Sequence, residues 1–315
     1  EALLSREPPP PRSHRLARVR LAAMLLFCAA IPVATLTQSV RASNVISPDR
    51  PIAITAHRAG STSAPENTLA ALRTAITQGA DMVEIDVQET ADGHVVLLHD
   101  TDLRRVAGVA RSIWDMRLDE LEKLDAGSWF SPKFHAERIP TLAAFAAAAR
   151  GHVRLNVELK QNPHAEDLAA RVVAVLGDAG VADQAEISSL DIGLLRDVGR
   201  IAPDIPRGLI LATGIGDLRR VDVNFFALSR RLATPAIIRQ LHARGRKVHV
   251  WTLDDQASIA RAMLDGADNI ITSDTVLGVK VRRWFYGLTT PERILLRIGR
   301  PLNRLAASES QADEE

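Results

Sequence analysis

The 315-residue chain has little that would hold it together other than a packed core. Its single cysteine, Cys28, excludes a disulfide framework within the chain. An excess of charge is also missing: 39 Lys and Arg stand against 38 Asp and Glu, and a net charge of +1 gives nucleic acid no bulk attraction. With 46% hydrophobic and 24% charged residues the composition is that of an ordinary globular protein rather than a disordered one. Long apolar runs are scarce as well. The uncharged stretch 21–36 falls short of the roughly 20 residues that a spanning helix needs, although its flanks extend it.

That stretch follows a basic, proline-rich segment, 1–20, in which Arg15, Arg18 and Arg20 lie just before the apolar residues. A polar run, 37–44, comes after it, and Val40-Arg41-Ala42 has small residues at the spacing of a cleavage site. Residues 21–44 are therefore read as a signal peptide or a membrane anchor. Either one exports the remainder of the chain, and arginines on the N-terminal side predict that end inside and the bulk outside. A lipid-modified Cys28 is set aside because Phe27 is too bulky for that processing site. Membrane contact is expected only through this segment, and no protein partner is evident.

From residue 51 to about 280, strand-like runs alternate with helical spacing. Eight strands are predicted, at 52–57, 81–87, 153–160, 184–189, 207–211, 224–229, 247–252 and 269–272. Helical patterns fall at 68–78, 165–176, 192–201, 235–244 and 256–264. The fold class is α/β, and this alternation points to a (β/α)8 TIM barrel, a fold that takes roughly 250 residues. Between Val87 and Val95 there is no room for a helix, and Ala91-Asp92-Gly93 signals a turn, so 94–99 should fold back as a hairpin strand and return His99 toward Glu84 and Asp86. An insertion at about 101–151 is expected to form a small helical cap around 118–124 and 142–149. Residues 281–315 are read as a C-terminal helix and an acidic tail.

Carboxylates occupy alternate positions at Glu84 and Asp86, and Glu158 and Lys160 repeat the spacing. Alternation along a strand puts each such pair on one face, here the barrel interior. Three converging carboxylates need protons or a cation, and oxygen-only ligands favour a hard ion, Mg²⁺ or Ca²⁺. His57 and Arg58 follow the first strand and Trp251 ends the seventh, so all share one mouth. Two histidines, three carboxylates, an arginine and a lysine form a set suited to cleaving a phosphate ester. Each has an ordinary alternative: Glu158 with Lys160 as a solvated ion pair, Trp251 as barrel core, Asn67 or Thr68 as a helix cap, Glu66 as a supporting partner. His94, His135 and His249 are read as structural.

The runs Ala56-His57-Arg58-Ala59-Gly60, Ala64-Pro65-Glu66-Asn67-Thr68, Val83-Glu84-Ile85-Asp86-Val87, Leu97-Leu98-His99-Asp100, Val157-Glu158-Leu159-Lys160 and Val250-Trp251-Thr252 resemble, in order and spacing, the signature of the glycerophosphodiester phosphodiesterase family over 52–275. Gly127-Ser128-Trp129-Phe130 and Thr290-Pro291-Glu292-Arg293 resemble its bacterial, membrane-associated branch. The resemblance implies a barrel of the phospholipase-C-like phosphodiesterase type. It implies metal-dependent hydrolysis of glycerophosphodiesters to glycerol phosphate and an alcohol, in phospholipid-derived glycerol metabolism. Carried over by position, Glu84, Asp86 and Glu158 would be metal ligands, His57 and His99 the acid–base pair, Arg58 and Lys160 the phosphate holders, and Trp251 a substrate wall. One departure stands out: the family usually has glycine directly after the arginine, where this chain has Ala59. Two other classes compete, a non-catalytic glycerophosphodiester-binding barrel and a metal-dependent barrel lyase or aldolase with Lys160 as its base.

Overall fold

The structure, a computed structural model, describes residues 51–298 apart from 163, 165, 166, 215, 217, 219 and 220. The expected segments 1–20 and 21–44 and the acidic tail lie outside the described residues. Among the described residues no helix is long and apolar enough to cross a membrane.

The strands are β1 (Ala53–Ala56), β2 (Met82–Glu89), β3 (Val95–Leu97), β4 (Asp102–Leu103), β5 (Val109–Ser112), β6 (Arg154–Leu159), β7 (Ala185–Ser189), β8 (Arg207–Leu211), β9 (Phe225–Ser229), β10 (Lys247–Trp251) and β11 (Asn269–Thr272). Eight of them pair in parallel in the order β1, β2, β6, β7, β8, β9, β10, β11, and β11 pairs back onto β1, which closes the (β/α)8 barrel. The helices are α1 (Leu69–Thr77), α2 (Arg104–Ala107), α3 (Leu118–Leu121), α4 (Leu142–Ala149), α5 (Leu168–Asp178), α6 (Ile192–Ile201), α7 (Pro235–His242), α8 (Gln256–Asp265), α9 (Thr275–Gly287) and α10 (Thr290–Ile298). Their starts are written locally: Thr68, Thr141, Thr234, Asp255 and Asp274 each accept a hydrogen bond from the backbone N–H three residues on.

The predicted hairpin is present. Gly93, at φ 79°, turns the chain, and β3 runs antiparallel to β2 with Val87 opposite Leu97 and Glu89 opposite Val95. One expectation fails. The helix at 142–149, placed from the sequence in the cap, belongs to the outer ring: α4 packs between α1 and α5, against β6. Leu142, Phe145, Ala146 and Ala149 form its buried face at helical spacing, which is what a ring helix needs. The insertion therefore consists of the two-stranded β4–β5 sheet, α2, α3 and connecting turns. It has its own small core, in which Val96, Leu98, Val106, Ile113, Leu121 and Ile139 are buried together.

Inside the barrel, below the mouth, the filling is polar. Thr55 donates to Asn269 Oδ1 at 2.9 Å, Asn269 approaches His249 Nδ1 at 3.4 Å, and the same nitrogen lies 3.4 Å from Glu186 Oε1. The His249 ring stacks on Phe225 with centroids 4.2 Å apart. Gly208 leaves the room that the Phe225 ring occupies. Burial pushes Glu186 up to about 7, against the opposing pull of Arg154 and Lys247. Burial presses His249 down to about 3, despite the attraction of Asp268. The carboxyl thus keeps a proton that the imidazole does not take.

The two shifts have opposite consequences for stability. The depressed His249 contributes stability that is present above its ordinary value of 6.5 and is lost as pH falls toward about 3. The raised Glu186 contributes stability that is present below its ordinary value of 4.5 and is lost as pH rises through about 7. Glu186→Gln, which keeps the shape and removes the ionisation, should therefore stabilise the protein more at pH 8 than at pH 5, by on the order of 2–3 kcal/mol. Urea unfolding at both pH values measures this, and an equal change at the two would contradict it.

Candidate active site

The chain leaves β1 through a single tight turn, His57–Ala59, whose backbone is unusual. Arg58, Ala59 and Gly60 are consecutively left-handed, at φ 50°, 63° and 99°. For residues with a Cβ this costs about 1–2 kcal/mol each. Within this turn the Arg58 N–H donates to Glu84 Oε2 at 2.8 Å. Ala59 does occupy a positive-φ position, and it is buried. Arg58 lines the site, with Nη1 donating to Glu66 Oε1 at 3.0 Å and Nε 3.8 Å from Asp86 Oδ2.

The three carboxylates meet as the alternation predicts. β2 and β6 are registered so that Asp86 lies opposite Glu158 and Glu84 opposite Asn156. One oxygen from each of Glu84, Asp86 and Glu158 lies within 4.8 Å of the others. Burial, with Asp86 and Glu158 adding repulsion, raises Glu84 well above its usual range, and burial with Asp86 raises Glu158 to about 7. Asp86 is lowered: burial works against it, but Lys160, His99, Asn67 and Arg58 outweigh that cost. Lys160 Nζ donates to Glu158 at 2.9 Å and lies 3.2 Å from Asp86, and Asn67 Nδ2 donates to Asp86 Oδ2 at 2.9 Å. One buried oxygen, Glu84 Oε1, has no hydrogen-bond partner. An oxygen-only donor set with surplus negative charge and an orphaned carboxylate oxygen fits a hard divalent cation.

Both histidines line the same cavity, and each has a tethered Nδ1. His57 Nδ1 lies 3.4 Å from Ser273 Oγ, which in turn contacts Asp254, and its Nε2 is 3.9 Å from Glu84 Oε2. Burial and the neighbouring Arg58 lower His57 to about 4. His99 Nδ1 pairs with Asp100 Oδ1 at 2.8 Å. The loop bearing His99 is fixed from beneath, as Gln88 Nε2 donates to the carbonyls of Leu98 at 2.9 Å and Asp100 at 2.7 Å.

These groups surround a cavity of about 220 Å³ with two unlike halves. His57, Arg58, Glu84, Glu158, Lys160 and His99 form the charged half, while Leu190, Ile210, Ala227, Ile271 and Trp251 form the other. Trp251 is a wall, held by its Nε1 donating to Ala227 O at 2.9 Å. Every site residue read from the sequence is thus gathered in one place. Several supports were not read: Asn67 holds Asp86 while Thr68 alone caps α1, and Gln88, Arg105, Asp254 and Ser273 had no assigned place. Asp100 was visible next to His99, but Asp254 and Ser273 are some two hundred residues from His57, and no local spacing reveals them.

Comparison with known proteins agrees with this geometry. The model of the "Glycerophosphoryl diester phosphodiesterase family" matches residues 57–277. A glycerophosphodiester phosphodiesterase of Caldanaerobacter subterraneus subsp. tengcongensis is 33% identical over 230 residues, 70% of this chain and 93% of that protein. One from Bacillus subtilis is 26% identical over 264 residues, 77% of this chain and 90% of that protein. Among solved structures, an Oleispira antarctica phosphodiesterase in complex with the product sn-glycerol-3-phosphate superposes with a TM-score of 0.70 at 30% identity, covering 73% of this chain and 96% of that one.

Neutralising a ligand should separate cation binding from folding. Glu84→Gln, Asp86→Asn and Glu158→Gln are each expected to weaken Mg²⁺ or Ca²⁺ affinity by at least about tenfold while the protein stays folded, because each relieves repulsion. Calorimetric titration with circular dichroism tests this, and unchanged affinity in all three variants would remove the site.

Proposed function

This chain belongs to the glycerophosphoryl diester phosphodiesterase family, and we propose that it cuts its substrates with a divalent cation held by Glu84, Asp86 and Glu158 and with His57 and His99 moving the protons. Its activity is that of a phosphoric diester hydrolase acting on glycerophosphodiesters. The observation that carries the mechanistic reading is the pair of histidines lining one cavity with the carboxylates, each tethered through Nδ1.

When bound, Mg²⁺ or Ca²⁺ supplies Lewis-acid neutralisation of the phosphate charge. Arg58 and Lys160 hold phosphoryl oxygens at the charged half, and Trp251 confines one ester arm at the other. One histidine takes the proton of the attacking hydroxyl and the other protonates the leaving oxygen; the attacker is either water, or the neighbouring glycerol hydroxyl, which forms a cyclic phosphate that water then opens. The products are glycerol phosphate and an alcohol, a step that fits the use of phospholipid-derived glycerol. A lyase or aldolase reading is disfavoured: burial lowers Lys160, but Asp86 and Glu158 outweigh it and raise the ammonium above its ordinary value, so it is a poor carbon base. The reading includes export, supported by Arg15, Arg18 and Arg20 ahead of 21–36. Protease added to intact spheroplasts should digest an anchored form, and full protection as a cytosolic protein would overturn export.

Histidine variants test the chemistry. The pH dependence of kcat/KM should be bell-shaped, and His57→Ala and His99→Ala should each lose about 10²–10⁴ in rate with cation affinity kept. The double variant should lose far less than the product of the single losses, because either missing partner disables the paired transfer. Near-normal turnover by His99→Ala on glycerophosphodiesters would exclude it from proton transfer.

A further inference from the structure

An unassigned side chain, Arg105, joins the two halves of the charged machinery. It lies on α2 of the insertion beside Val106, whose side chain is buried in the insertion core. Its guanidinium makes three charge-assisted hydrogen bonds: Nε to Asp100 Oδ2 at 2.6 Å, Nη1 to Glu66 Oε2 at 2.8 Å and Nη2 to Glu66 Oε1 at 2.7 Å. Each acceptor also serves a group of the site. The second oxygen of Asp100 pairs with His99 Nδ1 at 2.8 Å, and Glu66 Oε1 also receives Arg58 Nη1 at 3.0 Å. A continuous chain, His99–Asp100–Arg105–Glu66–Arg58, therefore spans from the hairpin to the turn after β1. The Arg105 guanidinium carbon also sits 5.6 Å from the Trp129 ring centroid, and Trp129 is itself fixed by its Nε1 donating to Ala126 O at 2.9 Å.

We propose that Arg105 is a positioning residue that orients His99 through Asp100 and Arg58 through Glu66, setting a proton-transfer group and a phosphate-holding group relative to each other. This rests on the reading of His99 and Arg58 given above. Stability is one reason for such a fork, a bidentate pair between Arg105, 38% exposed, and Glu66, 8% exposed. Orientation is another. A carboxylate fixed at His99 Nδ1 selects the tautomer with the proton on that nitrogen and turns Nε2 to the cavity. The planar guanidinium presents its donors at a fixed angle, so the two carboxylates, and the groups they hold, share one reference frame. A lysine at the same place is a point charge and cannot reproduce three directed bonds.

The test compares Arg105→Met, which keeps the stem, with Arg105→Lys, which keeps the charge. Arg105→Met is expected to lower kcat by about 10–100-fold, and Arg105→Lys to recover only a minor part of that loss, with Mg²⁺ or Ca²⁺ affinity by calorimetry unchanged in both. In a His99→Ala background the effect of Arg105→Met should shrink, because its main route of action is gone. Nitrogen-15 shifts of the His99 ring should report the Nδ1–H tautomer in the parent protein and a mixture of tautomers in Arg105→Lys, a readout that a merely structural role would leave in place. A normal kcat for Arg105→Met or Arg105→Lys, together with a His99→Ala variant that has lost activity, would overturn the positioning role. A near-normal His99→Ala would instead overturn the reading it rests on.

Discussion

Repulsion among Glu84, Asp86 and Glu158, held within 4.8 Å of one another in a closed barrel mouth, governs the surrounding structure. Strand register imposes it, because pairing β2 with β6 puts Asp86 beside Glu158 and no side-chain rotation can separate the strands. The neighbours then divide the load unequally. Asp86 takes Asn67 and, with Glu158, the Lys160 ammonium, which favour its ionised form, while Glu84 has one directed donor, the Arg58 amide, and a second oxygen without a partner. The site is under-neutralised by its own side chains, which is the condition under which a dication binds strongly to oxygen ligands.

The left-handed turn after β1 follows from the same requirement. The turn holds the Arg58 N–H on Glu84 Oε2, and its two left-handed residues with a Cβ, Arg58 and Ala59, cost about 1–2 kcal/mol each. The polar filling beneath the site follows a related logic. Glu186 and His249 are buried inside the barrel, where burial raises the carboxyl and lowers the imidazole, so each is pushed toward its neutral form rather than toward an ion pair.

Much of this was legible because barrel chemistry is periodic. Alternation along 81–87 and 153–160 identified the inward carboxylates, and the missing helix between Val87 and Val95 identified the hairpin that brings His99 back. What escaped was of two kinds. The helix at 142–149 has an apolar face that suits a cap or a ring equally, so its place is decided by which helices flank it. Asp254 and Ser273 are ordinary polar loop residues and Arg105 sits on a short helix; Ser273 meets His57 from 216 residues away and Arg105 meets Glu66 from 39, and no spacing rule encodes contacts of that range.

β2 outlasts its neighbour. It pairs with β1 only at Met82 and Val83, and its upper half, from Val87 to Glu89, has instead acquired β3. The strand that carries Glu84 and Asp86 is therefore also one arm of the hairpin that leads to His99, with Gln88 tying the segment after β3 back to the strand. His99 and the carboxylates thus hang from a single strand, like fittings on one beam. In a molecule built this way, the distance between His99 and the acidic cluster is set by the register of one strand pair.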